Sequence, residues 1–456
     1  MAAASKKSPE SRPDDDWHVA RLLPTSGLRG QEEQEKRATS CLLAVMRAVP
    51  DFGRALVTDL GGPRGRVTTF AEVQLKDSAG KTVIPDGAIV VEWGKSRWHA
   101  LVEVKTGAAE LKDEQVSRYL DVAKQSGFDA VVTISNAITA SPAESPLRLP
   151  SSKLKKVDLR HLSWYRVITE AVVQHRHRGI SDPDQAFILD ELIAYLTHER
   201  SGASGFQDMG QEWVRVREAA RDQTLRTTNP EARVVVERWE QFVDYLCLVL
   251  SQELGREVTP ARPKKQPREE RLNELLKDLV DAGRLRASVR VPDAIAPLDI
   301  EADLRSRQVT MGVQVTAPKD KQARGRIGWM VAQLKHAPPD LRIAARLART
   351  SETTACLLEQ AREEPRALLS PTDPKREPRQ FELALARPMG KKRGRGGGSF
   401  VEDTRRQALS FYGEIVQDLK PWRAAAPKRS EESVESTADG AEVATGAEPG
   451  PAVATT

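Results

Sequence analysis

This 456-residue sequence lacks the features of several large classes of protein. Its three cysteines, Cys41, Cys247 and Cys356, are widely separated and form no CxxC pair. They read as reduced thiols, which excludes a disulfide framework and a cysteine zinc site. No run of about 18 apolar residues occurs, so no membrane span is expected. The opening Met1-Ala-Ala-Ala-Ser-Lys-Lys has no apolar stretch of the kind that directs secretion, and the chain reads as cytoplasmic. There is no Gly-x-Ser-x-Gly elbow, no zinc-protease histidine pair and no GxxxxGK[ST] phosphate loop. Aromatic residues are scarce at 5%, while charged residues reach 30%. That balance suits a soluble protein, and the length suits two or three domains of about 150 residues.

A net charge of +5 understates the basic character of the chain. Beyond Ala424 two basic residues face six acidic ones, so residues 1–423 carry +9. This bias is compatible with an anionic partner such as nucleic acid, but many basic proteins bind none. The Ala/Arg-rich composition suggests a high-GC, bacterial source.

The most informative stretch runs from Pro85 to Asn136. Two apolar, β-branched runs, Ile84–Trp93 and Trp98–Lys105, flank the polar break Gly94-Lys95-Ser96-Arg97 and predict a β-hairpin. With the turn centred between Lys95 and Ser96, Asp86 faces Lys105 and Ala88 faces Glu103. Alternation puts Ile89, Val91, Trp93, Trp98, Ala100, Val102 and Val104 on one apolar face. Asp86, Glu103 and Lys105 then converge on the other. By itself such a cluster is better read as a cross-strand Asp86–Lys105 salt bridge on a half-exposed hairpin.

The spelling Pro85-Asp86, then Glu103-Val104-Lys105, resembles the PD-(D/E)xK nuclease superfamily, the restriction-endonuclease-like phosphodiesterases. The resemblance spans roughly residues 17–175, about a third of the chain. It implies an α/β fold, a restriction-endonuclease-like core with a mixed sheet flanked by helices. It further implies a hydrolase that uses Mg²⁺, or Mn²⁺, to cleave a nucleic-acid backbone, DNA being favoured over RNA, in repair or defence. In those terms Asp86, Glu103 and the Val104 carbonyl hold metal, and Lys105 positions water or stabilises the transition state. Gln115 and Tyr119, four apart on the following helix, spell the QxxxY pattern of some branches. There Gln115 contacts water or phosphate, and Tyr119 the substrate backbone. An acidic residue of the first core helix often joins the metal site, and Glu35 is the candidate, with Glu32 second.

The surrounding elements agree with this order. A helix over 30–49, stopped by Pro50, carries the stripe Ala38, Leu42, Val45 and Val49, which extends back through Glu35. Acidic residues in a first turn also follow from the helix dipole alone. A strand over 67–75 follows, with Glu72 pointing either into the site or into water. The helix over 110–126 stops at Gly127, and Phe128–Ser135 reads as a buried parallel strand. A strand over 156–161 leads into a helix over 162–173 capped by Ser163.

Six segments result. These are a disordered 1–16, a nuclease-like domain 17–180, a helical segment 181–258 and a linker 259–267, then a second α+β domain 268–423 and a disordered acidic tail 424–456. Weaker signals include His175-Arg-His177, a metal pair or a basic helix end. The Gly-rich basic stretch 390–399 is a nucleic-acid arm or a surface loop. Val291-Pro292-Asp293 with Gly312–Thr316 faintly echoes the first motif. The competing function is a non-catalytic nucleic-acid-binding or structural module that keeps the nuclease fold. Oligomeric state is left open, a homodimer included.

Overall fold

The computed structural model describes residues 22–23, 30–203, 205–263, 265–392 and 396–423. The segments read as disordered, 1–16 and 424–456, lie outside the described residues. Helix α1, Gln31–Ala48, buries Ala38, Leu42 and Val45 along the predicted stripe, and Val49 follows them into the core. Pro50 does more than stop α1, for it opens a second helix that the sequence reading missed, α2, Pro50–Asp59. Proline at a first helical position gives up an N–H that would be unpaired anyway, and Val49, at φ −116° and ψ 86°, makes the joint.

The strand expected over 67–75 is shorter. It runs as β1, Arg66–Ala71, and breaks at Glu72, whose φ is +50°. Leu75–Lys76 (β2) and Thr82–Val83 (β3) then form a separate two-stranded ribbon. The hairpin is present as β4, Gly87–Trp93, and β5, Ser96–Val104, but in a different register. Trp93 pairs with Ser96 and Gly87 with Val102, so the loop is only Gly94-Lys95. Gly94 at φ +60° takes the first loop position, where a tight II′ turn requires glycine. The shift is by two positions, so the faces survive. Ile89, Val91, Ala100, Val102 and Val104 are buried in one core, although Trp93 at the hairpin tip is 40% exposed.

Helix α3, Asp113–Ser126, ends at Gly127, and β6, Ala130–Ser135, is buried throughout and parallel to β5. Strand β7, Asp158–Ser163, is parallel to β6. Helix α4, Trp164–Val173, follows directly, with the Ser163 hydroxyl accepting from the Arg166 N–H as predicted. The sheet order is β1-β4-β5-β6-β7, antiparallel across the first three strands and parallel across the last three. One face packs on α1, α2, α4 and the next helix, α5, Pro183–Thr197. The other packs through Ala88, Leu101 and Val131 on Val116, Tyr119, Leu120 and Ala123 of α3. Gly87 sits where α1 closes on the sheet, and a Cβ there would lie 2.5 Å from Leu43 Cδ1 and 2.7 Å from the Phe70 carbonyl oxygen.

Helices α6, Trp213–Arg221, and α7, Pro230–Leu254, share a core with a second sheet. Thr259–Pro260, in the stretch read as a linker, forms its edge strand β8. Helix α8, Arg268–Ala282, which the sequence reading did not mark, precedes β9, Arg284–Arg290, β10, Leu298–Asp303, and β11, Gln308–Thr316. Then come α9, Ala323–Gln333, β12, Arg342–Leu347, β13, Thr353–Leu357, α10, Leu358–Glu363, β14, Pro378–Pro388, and α11, Phe400–Glu414. The sheet order is β13-β12-β14-β11-β10-β9-β8, antiparallel at every pairing. The echo of the first motif therefore has no matching topology. Asp293 lies in an exposed turn at φ +62°, 3.2 Å from Arg256, and Gly312–Thr316 lies within β11. Among the described residues no helix is long and apolar enough to cross a membrane.

Candidate functional site

The observed register carries Asp86, one residue beyond the Gly87–Val102 pair, opposite Glu103. The Val104 N–H donates to Asp86 Oδ2 at 2.7 Å, and the two carboxyls lie within hydrogen-bonding reach of one another. The expected Asp86–Lys105 salt bridge does not form among the described residues. The Lys105 ammonium turns instead to Glu103 Oε1 at 2.7 Å, Glu35 Oε1 at 2.9 Å and the Val104 carbonyl at 2.9 Å. Three acceptors use all three ammonium protons.

Helix α3 supplies the roof. Gln115 Nε2 donates to Glu103 Oε1 at 2.7 Å and to the Tyr119 hydroxyl at 3.1 Å. Asp86, Glu103, Val104, Lys105, Gln115, Tyr119 and Glu35 thus meet in one cluster. Glu32 does not join it; it is exposed and pairs with Lys36 at 3.2 Å. Glu72 is 69% exposed and leans toward Lys36, so of its two predicted directions it takes the one facing solvent.

Burial dominates the electrostatics. Glu103 is 1% exposed, and burial together with the Asp86 charge pushes its pKa up to about 7, against the pull of Lys105 and Tyr119. Burial also raises Asp86, opposed by the Val104 N–H and Lys105. For Lys105, burial works against the charged form, yet bonding and attraction to Glu103 and then Glu35 outweigh it and raise the pKa. Burial and the neighbouring Glu103 raise Tyr119 to about 12, so its hydroxyl stays protonated. Three acidic groups against one ammonium leave the cluster short of positive charge.

That shortage is the test of fit for a cation. Among the described residues no group of three or more His, Cys, Asp or Glu side chains is arranged to hold a metal ion. An ion at this site would rest on the two carboxyls of Asp86 and Glu103, the Val104 carbonyl and water. Such all-oxygen donors, with room left for waters, match Mg²⁺ chemistry.

Several contacts were not foreseen. Trp164, wholly buried, donates from Nε1 to the carbonyl of Lys105 itself at 2.9 Å. Asn136 Nδ2 spans the carbonyls of Gly107 at 3.0 Å and Gly202 at 2.9 Å, tying the loop after Lys105 to the turn after α5. Gln31 donates to the Thr106 carbonyl at 3.1 Å. The only sequence sign of this support is the tryptophan placed one residue after a helix cap. A cleft of about 740 Å³ opens beside this loop, walled by Gln34, Gly107, Asn136, Gly202, Arg238 and Gly396.

Two histidines have structural partners. His161 hydrogen-bonds Thr133 Oγ1 at 3.0 Å and the Ala137 carbonyl at 2.9 Å, and burial lowers its pKa to about 4. His177, in the turn after α4, contacts the Gln252 carbonyl at 2.8 Å, consistent with a helix end. Of the basic stretch 390–399, residues 393–395 lie outside the described residues. The chain matches no protein-family model and no curated protein.

Proposed function

We propose that this chain is a Mg²⁺-dependent nuclease of the PD-(D/E)xK type, with a restriction-endonuclease-like core and DNA as its favoured substrate. The observation that carries the reading is the convergence of Asp86, Glu103 and Lys105, with Gln115, Tyr119 and Glu35 around them, in one half-buried patch at the ends of β4 and β5. A sheet with three antiparallel strands, then a helix and a parallel strand, supports the fold that the sequence resemblance implies.

Each residue has a task that its contacts support. Asp86, Glu103 and the Val104 carbonyl would hold Mg²⁺, with Glu35 at the margin. Once bound, Mg²⁺ supplies charge neutralisation at the phosphate and a more acidic water. Glu103, which burial and Asp86 raise to about 7 without metal, would be held ionised by the bound cation, while Gln115 and the Tyr119 hydroxyl fix where its oxygens point. The Lys105 ammonium remains charged and, by exchanging Val104 or Glu35 for a substrate oxygen, stabilises negative charge as it develops.

One observation favours the non-catalytic alternative. The Lys105 ammonium already bridges Glu103 and Glu35, a contact of the kind that can simply hold a fold together. Cleavage of plasmid, linear duplex, single-stranded DNA and RNA with Mg²⁺ or Mn²⁺ separates the two. The nuclease reading requires cleavage that Asp86→Ala and Lys105→Ala abolish in folded protein. Identical behaviour of wild type and both variants on every substrate refutes it.

A further inference from the structure

We infer that Arg217 and Arg307, with Lys391, form a phosphate-binding site in the second half of the chain that grips the backbone of a nucleic acid. As a substrate-holding site it rests on the nuclease reading, but the contact itself does not require cleavage. Arg217 lies on α6 and Arg307 in the turn between β10 and β11, and with Met389, Gly390 and Lys391 they line a small hollow of about 80 Å³. That volume admits several waters or one tetrahedral oxyanion.

Three features mark the hollow as built for an anion. First, among the described residues neither arginine forms an ion pair. Arg217 reaches only the Lys391 carbonyl, at 3.3 Å, and its Nε is buried with no partner. An unsatisfied buried guanidinium N–H is costly unless something arrives to accept from it. Second, like charges are packed together. Burial and then Arg307 lower the pKa of Arg217, and the nearby Asp222 is engaged by Arg221 at 2.7 Å. Arg217, Arg221, Arg307, Lys391 and Lys392 outnumber Glu218 and Asp222 by three. Third, Arg307 holds φ +55°, a left-handed conformation costly for arginine, while its carbonyl accepts from the Met389 N–H at 2.8 Å. This turn geometry fixes Arg307 at the wall of the hollow.

Residues that follow the hollow in the chain wall the cleft beside the candidate active site. Lys392 bridges Ser399, and Gly396 and Ser399 wall the 740 Å³ cleft. Gly107, two residues after Lys105, forms another part of that wall.

The test is binding of the full chain to a short labelled DNA duplex in EDTA, where cleavage is silent, across about 50 to 200 mM salt. Each lost phosphate contact lowers the salt slope by about one. Arg217→Gln with Arg307→Gln should lower it by about two and weaken binding at least tenfold. Arg307→Gly alone should weaken binding without lowering Tm, because glycine adopts the same φ freely. Unchanged affinity and slope in both folded variants overturn the site, as does a wild type that binds no duplex. If inorganic phosphate raises the Tm of wild type but not of the double variant while DNA binding is unaffected, the hollow is a free-anion site and the nucleic-acid assignment falls. Lost cleavage by Asp86→Ala with intact duplex binding bears on the nuclease reading alone.

Discussion

Replacing Glu103 by glutamine should make the protein more stable above neutral pH and leave it unchanged in acid. The side chain is 1% exposed, so solvent screening gives little relief. Its pKa rises from 4.5 to about 7, driven by burial and by Asp86. Since the folded pKa lies above the unfolded one, the stabilising contribution is complete below about pH 4.5 and is lost as pH rises through 7. At about 1.4 kcal/mol per pH unit the cost of holding Glu103 ionised reaches about 3 kcal/mol by pH 8. Glu103→Gln keeps the shape and removes that cost. The gain is at most this large, because the amide no longer pairs with Lys105, which retains Glu35 and the Val104 carbonyl. Urea unfolding of both proteins in EDTA from pH 4.5 to 8.5 measures the difference directly. It should be near zero at the acid end, widen through neutrality and then level off. A variant less stable than wild type at pH 8, or a gap that does not change with pH, would show that burial does not penalise this carboxylate, and the case for a cation-hungry dyad would go with it.

Other consequences can be checked by similar means. Lys105→Ala strands Glu103 and Glu35 without their cation and should cost about 3–5 kcal/mol in EDTA at pH 8. Mg²⁺ should restore part of that loss, and a denaturation midpoint indifferent to Mg²⁺ would count against metal binding. Trp164→Phe leaves the Lys105 carbonyl without its donor and should cost about 1–3 kcal/mol, seen in the same assay, with the cleavage rate falling alongside. Gly87→Ala forces Leu43 and the β1 backbone away from the sheet and should cost about 1–3 kcal/mol, whereas alanine at solvent-facing Gly80 should not repack any core.

What could be read from the sequence was whatever depended on periodicity and local spacing. Gln115 and Tyr119 share a helix face because they are four apart, and both reach Glu103. The stripe through Ala38, Leu42 and Val45 likewise placed Glu35, not Glu32, beside the sheet. The hairpin faces were legible for the same reason, since alternation tolerates a register error of two. The register itself was not, because it turns on one residue, Gly94, whose positive φ tightens the loop to two residues. That shift exchanged the partner of Asp86 from Lys105 to Glu103 and replaced a surface salt bridge with a carboxyl pair. Pro50 misled in a similar way, since proline ends one helix and begins another with equal ease. Trp164 and Asn136 were out of reach because their bonds span 59 and 29–66 residues, distances over which local pattern carries no information.

The chain separation within the cluster also sets an order of assembly. Asp86 to Tyr119 spans a short length of chain, joined by a two-residue turn and one helix, whereas the Lys105–Glu35 bond closes 70 residues. Closing a longer loop costs more entropy and takes longer, so the carboxyl pair and its glutamine roof form first and α1 docks onto them afterwards. The same bond is then the first to open when the native state breathes. Amide exchange should find the early turns of α1 less protected than β5, with the acidic pair intact and Glu35 swung away.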